Sequence, residues 1–423
     1  MISKCLRVAL GALTSTPLNA LYAEAGEPPL GARGKMIARR FALSLFQRHP
    51  LHFSRLKDLS ILNLTDKYWA KKPSPLLCEA FYAISEYFDL IPPLPKPVRY
   101  ELNYASLRAP PISIPSNSVQ NSTSFTKFIR ERWPEAVHIY TDGSLIDGKV
   151  GSAYYDVTRN AIARFRLADF ASIYTAELIA LHEALKYAMQ LHLEPRPVIF
   201  LTDSLSVITK LQNINPNSNL NYIEGEIIKL CAALRASGRQ FRLIWVKSHA
   251  GIVGNELVDS YAKEATKKPT CDIQTPVYPP SDLRRRLREE MLKEWQDTYD
   301  RYPSGEPYKT TFPKVSLTPW FTKCPGKGKS FYKTISRIRS GHCVTKAYLH
   351  RIGRSDTDLC DTCQTTETLH HIILECNKFN AERGIMINSL PTSIPRPFNF
   401  ATILRQDVYE LIFIYLCSSN ITI

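Results

Sequence analysis

Between residues 136 and 266, the hydrophobic and polar positions follow patterns typical of strands and of amphipathic helices. Strands are predicted at Val137–Tyr140, Val150–Val157, Ala161–Leu167, Val198–Leu201 and Phe241–Val246. Helices are predicted at Tyr174–Met189, Ser204–Leu211, Leu220–Ser237 and Asn255–Thr266. Three successive strands followed by alternating helices and strands predict an α/β fold, in which helices cover a mixed sheet.

The segments on either side show different patterns. Residues 1–90 have helical periodicity, and residues 268–423 contain helical segments such as Asp282–Tyr299. Residues 91–132 are rich in Pro, Ser and Asn, which predicts a linker because proline fits neither a packed helix nor a central strand. We therefore predict a helical segment 1–90, a linker 91–132, an α/β domain 133–267 and a helical region 268–423.

The composition is that of a globular chain with a basic surplus. Of the 423 residues, 44% are hydrophobic and 22% are charged, and the net charge is +15. The α/β segment 136–266 has 13 basic and 13 acidic residues, so its net charge is zero. Residues 1–135 carry +8 and residues 267–423 carry +7. The surplus therefore predicts that the flanks contact a polyanion such as nucleic acid.

Membrane insertion and secretion are not expected. The sequence has no apolar run of about 18 residues, and the apolar stretch Val8–Leu13 is too short and polar for a signal peptide. The ten cysteines are mostly scattered, which favours a reducing compartment over a disulfide scaffold. We expect an intracellular protein; the sequence leaves open whether it is nuclear or cytoplasmic, and it leaves the oligomeric state open.

Four acidic residues of the α/β segment lie after predicted strands or on predicted helices. Asp142 follows the first predicted strand and Asp203 follows the fourth, while Glu177 and Asp259 lie on helices. If those two strands are neighbours, their terminal carboxylates meet and repel each other, unless cations such as Mg²⁺ lie between them. Two divalent cations held in this way suit phosphodiester hydrolysis. Taken one at a time, each acid also fits a structural role, as a helix cap or turn residue.

Four motifs in order give the segment a specific resemblance to ribonuclease H type 1, as carried by non-LTR retrotransposon polyproteins. They are Tyr140-Thr141-Asp142-Gly143-Ser144, Thr175-Ala176-Glu177-Leu178, Leu201-Thr202-Asp203-Ser204, and Trp245-Val246-Lys247-Ser248-His249-Ala250-Gly251-Ile252 followed by Gly254-Asn255-Glu256 and Asp259. The resemblance implies a five-stranded mixed sheet with helices on both sides. It also implies an endonuclease that hydrolyses the RNA strand of RNA–DNA hybrids, leaving a 3′-hydroxyl and a 5′-phosphate.

The same resemblance assigns roles to individual residues. Two Mg²⁺ ions, which Mn²⁺ can replace, would be bound by the carboxylates of Asp142, Glu177, Asp203 and Asp259. His249 corresponds to the mobile-loop histidine that assists proton transfer or product release; by itself it also fits a polar loop residue. The sequence departs from the cellular enzymes at Ile173 and Tyr174, where those enzymes have polar amides that contact the minor groove of the hybrid. Backbone groups, or side chains such as Ser172 and Thr175, would have to replace them.

The tail contains a second candidate metal site. Cys360, Cys363, His371 and Cys376 supply three thiolates and one imidazole, a closed set typical of structural zinc. His370 is an alternative to His371; the resemblance favours His371, since tails of this family place the histidine five residues before the last cysteine. Nearby Lys378 and Arg383 suggest that the tail contacts phosphates.

The N-terminal stretches Cys5–Ala12 and Tyr22–Leu30 resemble the region that follows the reverse transcriptase in the same polyproteins. We therefore expect a C-terminal portion of such a polyprotein, beginning after the polymerase. Two other functions stay open at this stage. One is a nucleic-acid-binding protein with a vestigial nuclease centre, which would use its basic flanks and zinc site. The other is a related DNA nuclease.

Overall fold

The computed structural model describes residues 2–91, 108–116, 121–191, 196–215, 218–267 and 277–423. The chain forms two compact units, residues 37–288 and residues 1–36 together with 289–423. The helices are α1 Ile2–Leu10, α2 Leu18–Ala25, α3 Leu30–Arg48, α4 Pro50–Thr65, α5 Leu76–Ser85, α6 Ser122–Arg132, α7 Ile173–Gln190, α8 Leu205–Gln212, α9 Tyr222–Ala236, α10 Val253–Ala265, α11 Pro280–Arg301, α12 Glu306–Thr311, α13 Lys329–Ser340, α14 Lys346–Arg351, α15 Asn380–Asn388, α16 Phe400–Arg405 and α17 Tyr409–Ser418.

The described part of the unit 37–288 contains one mixed sheet of six strands. The strands are β1 Ile112–Ser113, β2 Val137–Ile146, β3 Lys149–Asp156, β4 Ala161–Leu167, β5 Val198–Thr202 and β6 Phe241–Trp245. Their order across the sheet is β1-β6-β5-β2-β3-β4. The first four strands in this order run parallel, and β2, β3 and β4 form an antiparallel meander. The α/β fold class predicted from the sequence is confirmed.

The sheet is covered by an apolar layer on each face. Successive strand residues face opposite sides, so each strand contributes to both layers. On one side Ile139 and Phe200 lie in a buried cluster with Leu178 and Leu185 of α7. On the other side Tyr140 and Leu201 lie in a cluster with apolar residues of α6 and α10, namely Phe125, Ile129, Val258 and Ala262. Every residue of β5 is buried, as its uninterrupted apolar sequence predicts.

The sheet has one strand more than the five expected, and that strand, β1, and helix α6 both come from the predicted linker. Strand β1 pairs with β6, where the N–H of Leu243 donates to the carbonyl of Pro111 at 2.9 Å. A proline is tolerated there because β1 is an edge strand. Helix α6 begins at Ser122 and is capped by Asn121, whose side chain accepts a hydrogen bond from the N–H of Ser124. Residues 92–107 and 117–120 of the predicted linker lie outside the described residues.

The compact unit 37–288 extends beyond the α/β segment on both sides. Leu43, Leu56 and Ile84 from the N-terminal helices are buried in the same cluster as the sheet. Tyr278 and Leu283, which follow the predicted domain end at 267, are buried there as well. The predicted domain bounds of 133 and 267 therefore stay predictions, and this unit crosses both.

The other unit, residues 1–36 with 289–423, contains helices and short helical turns. A buried ion pair joins its two chain segments: Arg339 Nε lies 2.8 Å from Glu24 Oε1, which also accepts a hydrogen bond from Tyr308 at 2.7 Å. Across both units, none of the described helices has the length and apolar character needed to cross a membrane.

Candidate active site

The parallel strands β2 and β5 bring the first pair of acidic residues together. Strands β2 and β5 are parallel neighbours, and Thr141 lies opposite Thr202 in their register. Asp142 and Asp203 each come one residue later. Asp203 follows the last residue of β5, whereas β2 continues past Asp142 to Ile146 in its pairing with β3, so the expectation that Asp142 follows its strand is wrong. Asp142 lies instead where the pairing of β2 with β5 ends. The condition on which the sequence argument depended, that the first and fourth strands of the α/β segment are neighbours, is therefore met.

Helix α7 adds a third carboxylate. Glu177 is the fifth residue of this helix, and carboxylate oxygens of Asp142, Glu177 and Asp203 lie within 4.8 Å of one another. The helix approaches the strand closely because Gly143 has no side chain. A Cβ at Gly143 would lie only 2.7 Å from the backbone nitrogen of Glu177. The backbone N–H of Gly143 also favours the charged forms of the Asp142 and Glu177 carboxylates and so opposes the rise in their pKa.

Burial and mutual repulsion disfavour the charged forms of these acids. Burial, followed by the charges of Asp203 and Asp259, raises the pKa of Asp142 to about 8. Burial, followed by the charge of Asp142, raises the pKa of Glu177 well above its ordinary value. Glu177 is 9% exposed, and its buried Oε2 has no hydrogen-bond partner among the described residues. A divalent cation would satisfy both the orphaned oxygen and the unbalanced charge, so this donor set fits Mg²⁺.

A second acidic group completes the cavity. Ligand atoms of His249, Glu256 and Asp259 lie within 4.8 Å of one another. His249 has a φ of 52°, in a loop that precedes α10. The cavity is about 250 Å³ and is lined by Asp142, Gly143, Glu177, Asp203, Ser248, His249, Asn255, Glu256, Asp259 and Lys263. All five residues for which the sequence predicted catalytic roles thus line one cavity.

Sequence reasoning missed three residues of this cavity. The side-chain nitrogen of Asn255 lies 3.3 Å from Asp203 Oδ2 and donates to it. Lys263 Nζ lies 2.7 Å from Asp259 Oδ2, and Glu256 faces the same space. Glu256 and Lys263 precede and follow Asp259 by three and four residues, which puts all three on one helix face. That spacing was the signal available in the sequence.

A model of the RNase H family matches residues 134–267. This segment is an RNase H domain. A comparison with curated proteins finds no match.

Solved structures of RNase H proteins are similar to about a third of the chain. RNase H1 from the halophilic archaeon Halobacterium salinarum NRC-1 is 22% identical, and the match covers 31% of this chain and 98% of that chain with a TM-score of 0.24. LC11-RNase H1 in complex with an RNA/DNA hybrid is 18% identical, with 30% and 98% covered and a TM-score of 0.25. A foamy viral protease-reverse transcriptase in complex with an RNA/DNA hybrid is 22% identical, with 31% and 20% covered and a TM-score of 0.26.

The start of helix α7 differs from what a polar minor-groove contact in the RNase H domain would require. Ile173 is 43% exposed, whereas the hydroxyl of Tyr174 donates to Glu224 at 2.7 Å. Thr175 is buried, so the expectation that its side chain reads the hybrid is wrong. Ser172 caps the helix by accepting from the N–H of Thr175, and its own N–H donates to Asp282.

Outside the RNase H domain, the cysteine cluster forms as predicted. Ligand atoms of Cys360, Cys363, His371 and Cys376 lie within 4.8 Å of one another, and Cys376 Sγ is 3.8 Å from the sulfurs of both other cysteines. His371 is buried and its Nε2 has no hydrogen-bond partner among the described residues. His370, the alternative, is half-exposed and lies 3.1 Å from Glu375. Three sulfurs and an orphaned imidazole nitrogen fit Zn²⁺.

One basic residue of the tail does not have the expected role. Arg383 is buried, and its guanidinium donates to the carbonyl of Cys376 at 2.7 Å. It therefore fixes the turn at the last cysteine of the cluster and is not presented to a phosphate, whereas the neighbouring Lys378 is exposed.

Proposed function

We propose that the protein is a metal-dependent endonuclease that hydrolyses the RNA strand of RNA–DNA hybrids. The observation that carries the proposal is the group of three carboxylates within 4.8 Å at the edge of an RNase H domain. Gathering buried acids in this way is unfavourable unless cations balance them, and such cost is typical of functional sites.

The proposal gives each residue of the cavity a task. Asp142, Glu177 and Asp203 would hold one Mg²⁺ ion, and Asp259 with Asp142 would hold the second. The chemistry that such ions supply when bound is Lewis-acid stabilisation of the charge that develops in phosphodiester hydrolysis, and Mn²⁺ would substitute for them. Asn255 orients the Asp203 carboxylate through its side-chain amide.

His249 would exchange protons at the cavity mouth. Its side chain is exposed on a loop that borders the acidic group, and imidazoles exchange protons readily near neutral pH. An exposed loop also lets the side chain reach the substrate phosphate or withdraw from it. We therefore assign His249 to proton transfer or product release.

The substrate would be held mainly outside the neutral RNase H domain. Residues 1–135 and 267–423 carry the whole net charge of +15, and basic side chains contact phosphates without reading sequence. Hybrid recognition at α7 would rely on backbone groups and on Ser172, because Thr175 is buried and Tyr174 is bonded to Glu224.

We propose that the Cys3His cluster holds a structural Zn²⁺ ion. Burial raises the pKa of the Cys360 thiol. Backbone hydrogen bonds, of which that from Cys363 has the largest effect, outweigh burial and lower this pKa to about 7. A thiol that ionises readily is suited to metal binding. We further propose that the chain is intracellular and derives from the C-terminal portion of a non-LTR retrotransposon polyprotein, as its flanking motifs suggest.

A substrate panel tests the proposed function. The full chain with Mg²⁺ is offered end-labelled RNA–DNA hybrid, double-stranded DNA, double-stranded RNA and single-stranded RNA. We expect cleavage of the RNA strand of the hybrid alone, with a 3′-hydroxyl and a 5′-phosphate at the cut, and no cleavage when a chelator is added. Binding of the hybrid without cleavage would support the alternative of a vestigial nuclease centre. Cleavage of double-stranded DNA would support a DNA nuclease instead.

A further inference from the structure

Lys263 places a positive charge inside the acidic cavity. It follows Asp259 by one turn of α10, and its Nζ lies 2.7 Å from Asp259 Oδ2. Its side chain is 49% exposed, so the ammonium group reaches the cavity from the solvent side. Lys263 is the single basic residue among those that line the cavity in the described part of the chain, apart from His249.

The ammonium group acts on more than its hydrogen-bond partner. Asp142 and Glu256 line the same cavity as Asp259 and Lys263, so their carboxylates also attract the ammonium group. Lys263 thus faces acids from strand β2 as well as from its own helix. A lysine in an ordinary ion pair on a helix surface faces only an acid of the same helix.

Any divalent cation that binds between Asp142 and Asp259 must compete with this ammonium group. Like charges in a confined site repel each other, and a lysine remains charged at neutral pH. Among the described residues, no ion pair joins Glu177 or Asp203, on the other side of the cavity, to a lysine or arginine. The half of the cavity at Asp259, which contains Lys263, should therefore bind a divalent cation less tightly than the half at Glu177 and Asp203.

We propose that Lys263 is a positioning residue that occupies the Asp259 half of the cavity as a resident cation and thereby weakens binding of the second Mg²⁺ ion. This inference rests on the proposed function, since it requires that the carboxylates bind metal. The first ion binds among Asp142, Glu177 and Asp203. The second ion enters only when the exposed Lys263 side chain swings into solvent, which needs no rearrangement of the helix.

Calorimetric titration of Mg²⁺ into the full, zinc-loaded chain tests this inference without an activity assay. The unmodified chain should show one tighter and one weaker site. Lys263→Met should tighten the weaker site about three- to tenfold and change the tighter site, which shares only Asp142 with it, by less. Lys263→Arg, which keeps the charge, should retain the weaker affinity.

A matched control separates this role from an ordinary helix ion pair. Lys229 lies 2.9 Å from Glu226 on α9, outside the cavity, and Lys229→Met should leave both Mg²⁺ affinities unchanged. Equal second-site affinity in the unmodified chain and in Lys263→Met would overturn the inference while leaving the proposed function intact. Absence of any Mg²⁺ binding in the unmodified chain would instead overturn the proposed function.

Discussion

At the scale of single residues, the acidic cavity places a cost on the metal-free fold. Asp142 is 5% exposed, and Asp203 and Asp259 add their charges to the effect of burial. At neutral pH the Asp142 carboxyl is therefore mostly protonated in the folded, metal-free protein, where its pKa is about 8. In the unfolded chain it is ionised at the same pH. Stability lost in this way is typical of sites arranged for binding.

Neutralising Asp142 should therefore stabilise the metal-free protein. The folded state binds more protons than the unfolded state between about pH 4 and pH 8, so the free energy of unfolding falls as the pH rises through this window. In the presence of a chelator, Asp142→Asn should gain about 1–3 kcal/mol above pH 8 and nothing below about pH 4. Urea unfolding at several pH values measures this. A variant less stable than the unmodified chain at pH 8 would contradict the cost that we assign to the cluster.

Gly143 should tolerate no side chain. A Cβ there would press on the backbone of Glu177, so Gly143→Ala must push α7 away from the sheet. We expect a loss of about 1–3 kcal/mol in the free energy of unfolding and weaker Mg²⁺ binding. Gly384→Ala is the control, because nothing lies within 4 Å of its added Cβ in α15. Equal Mg²⁺ affinity in both variants would show that the strand and helix need not approach closely.

Residue patterns predicted part of the cavity and missed the rest for a physical reason. Asp142 and Asp203 could be brought together from the sequence on one condition, that the first and fourth strands are neighbours, which the structure meets. Asn255 depends instead on the rotation of α10 against the sheet. That rotation is set by tertiary packing of Val258 and Ala262, which local periodicity does not specify.

At the scale of elements, the segment rich in proline contains more structure than its composition indicates. Strand β1 has only two residues, and both pair with a single neighbouring strand, β6. Helix α6 was hidden by the Ser- and Asn-rich stretch before it, although Asn121 is a helix cap and Phe125 and Ile129 are buried. The helices α7 to α11, by contrast, were predicted to within about two residues at each end, because their apolar faces repeat over several turns.

The Cys3His cluster should fold around its metal ion. Its backbone consists of short turns between Cys360 and Cys376, so metal binding supplies much of its stability. Cys376→Ser should lose bound zinc and lower the melting temperature of the unit that contains the tail. Zinc content is measured by elemental analysis. Cys417→Ser, at an exposed free cysteine, should keep its zinc; full zinc occupancy in Cys376→Ser would contradict the assignment.

At the scale of the whole molecule, the RNase H domain shares its core with segments on both sides of it. Leu283 of α11 is fully buried in the cluster that also contains Phe200 of β5. Sequence patterns could not show this, because a periodic helix does not reveal which surface it will cover. The unit 37–288 is therefore expected to unfold as one body.

Removing the Leu283 side chain should loosen strands far from it in sequence. Leu283→Ala should cost about 2–4 kcal/mol, because the cavity left behind adds to the lost burial. Hydrogen exchange should accelerate in β2 and β5 by the corresponding factor. Leu205→Ala, at a position that is 48% exposed, provides the control. Unchanged exchange in β2 after Leu283→Ala would show that α11 is an independent appendage.

The central claim is that the carboxylates at the edge of the sheet cut RNA, and one measurement tests it most directly. RNA-strand cleavage of a labelled RNA–DNA hybrid is quantified with Mg²⁺ for the unmodified chain, for Asp203→Asn and for Asp147→Asn. Asp147 is exposed in the turn between β2 and β3 and lies outside the cavity, so its substitution is a matched control. We predict that Asp203→Asn loses at least about a hundredfold in rate while Asp147→Asn keeps full activity. Cleavage by Asp203→Asn at the unmodified rate would contradict the account.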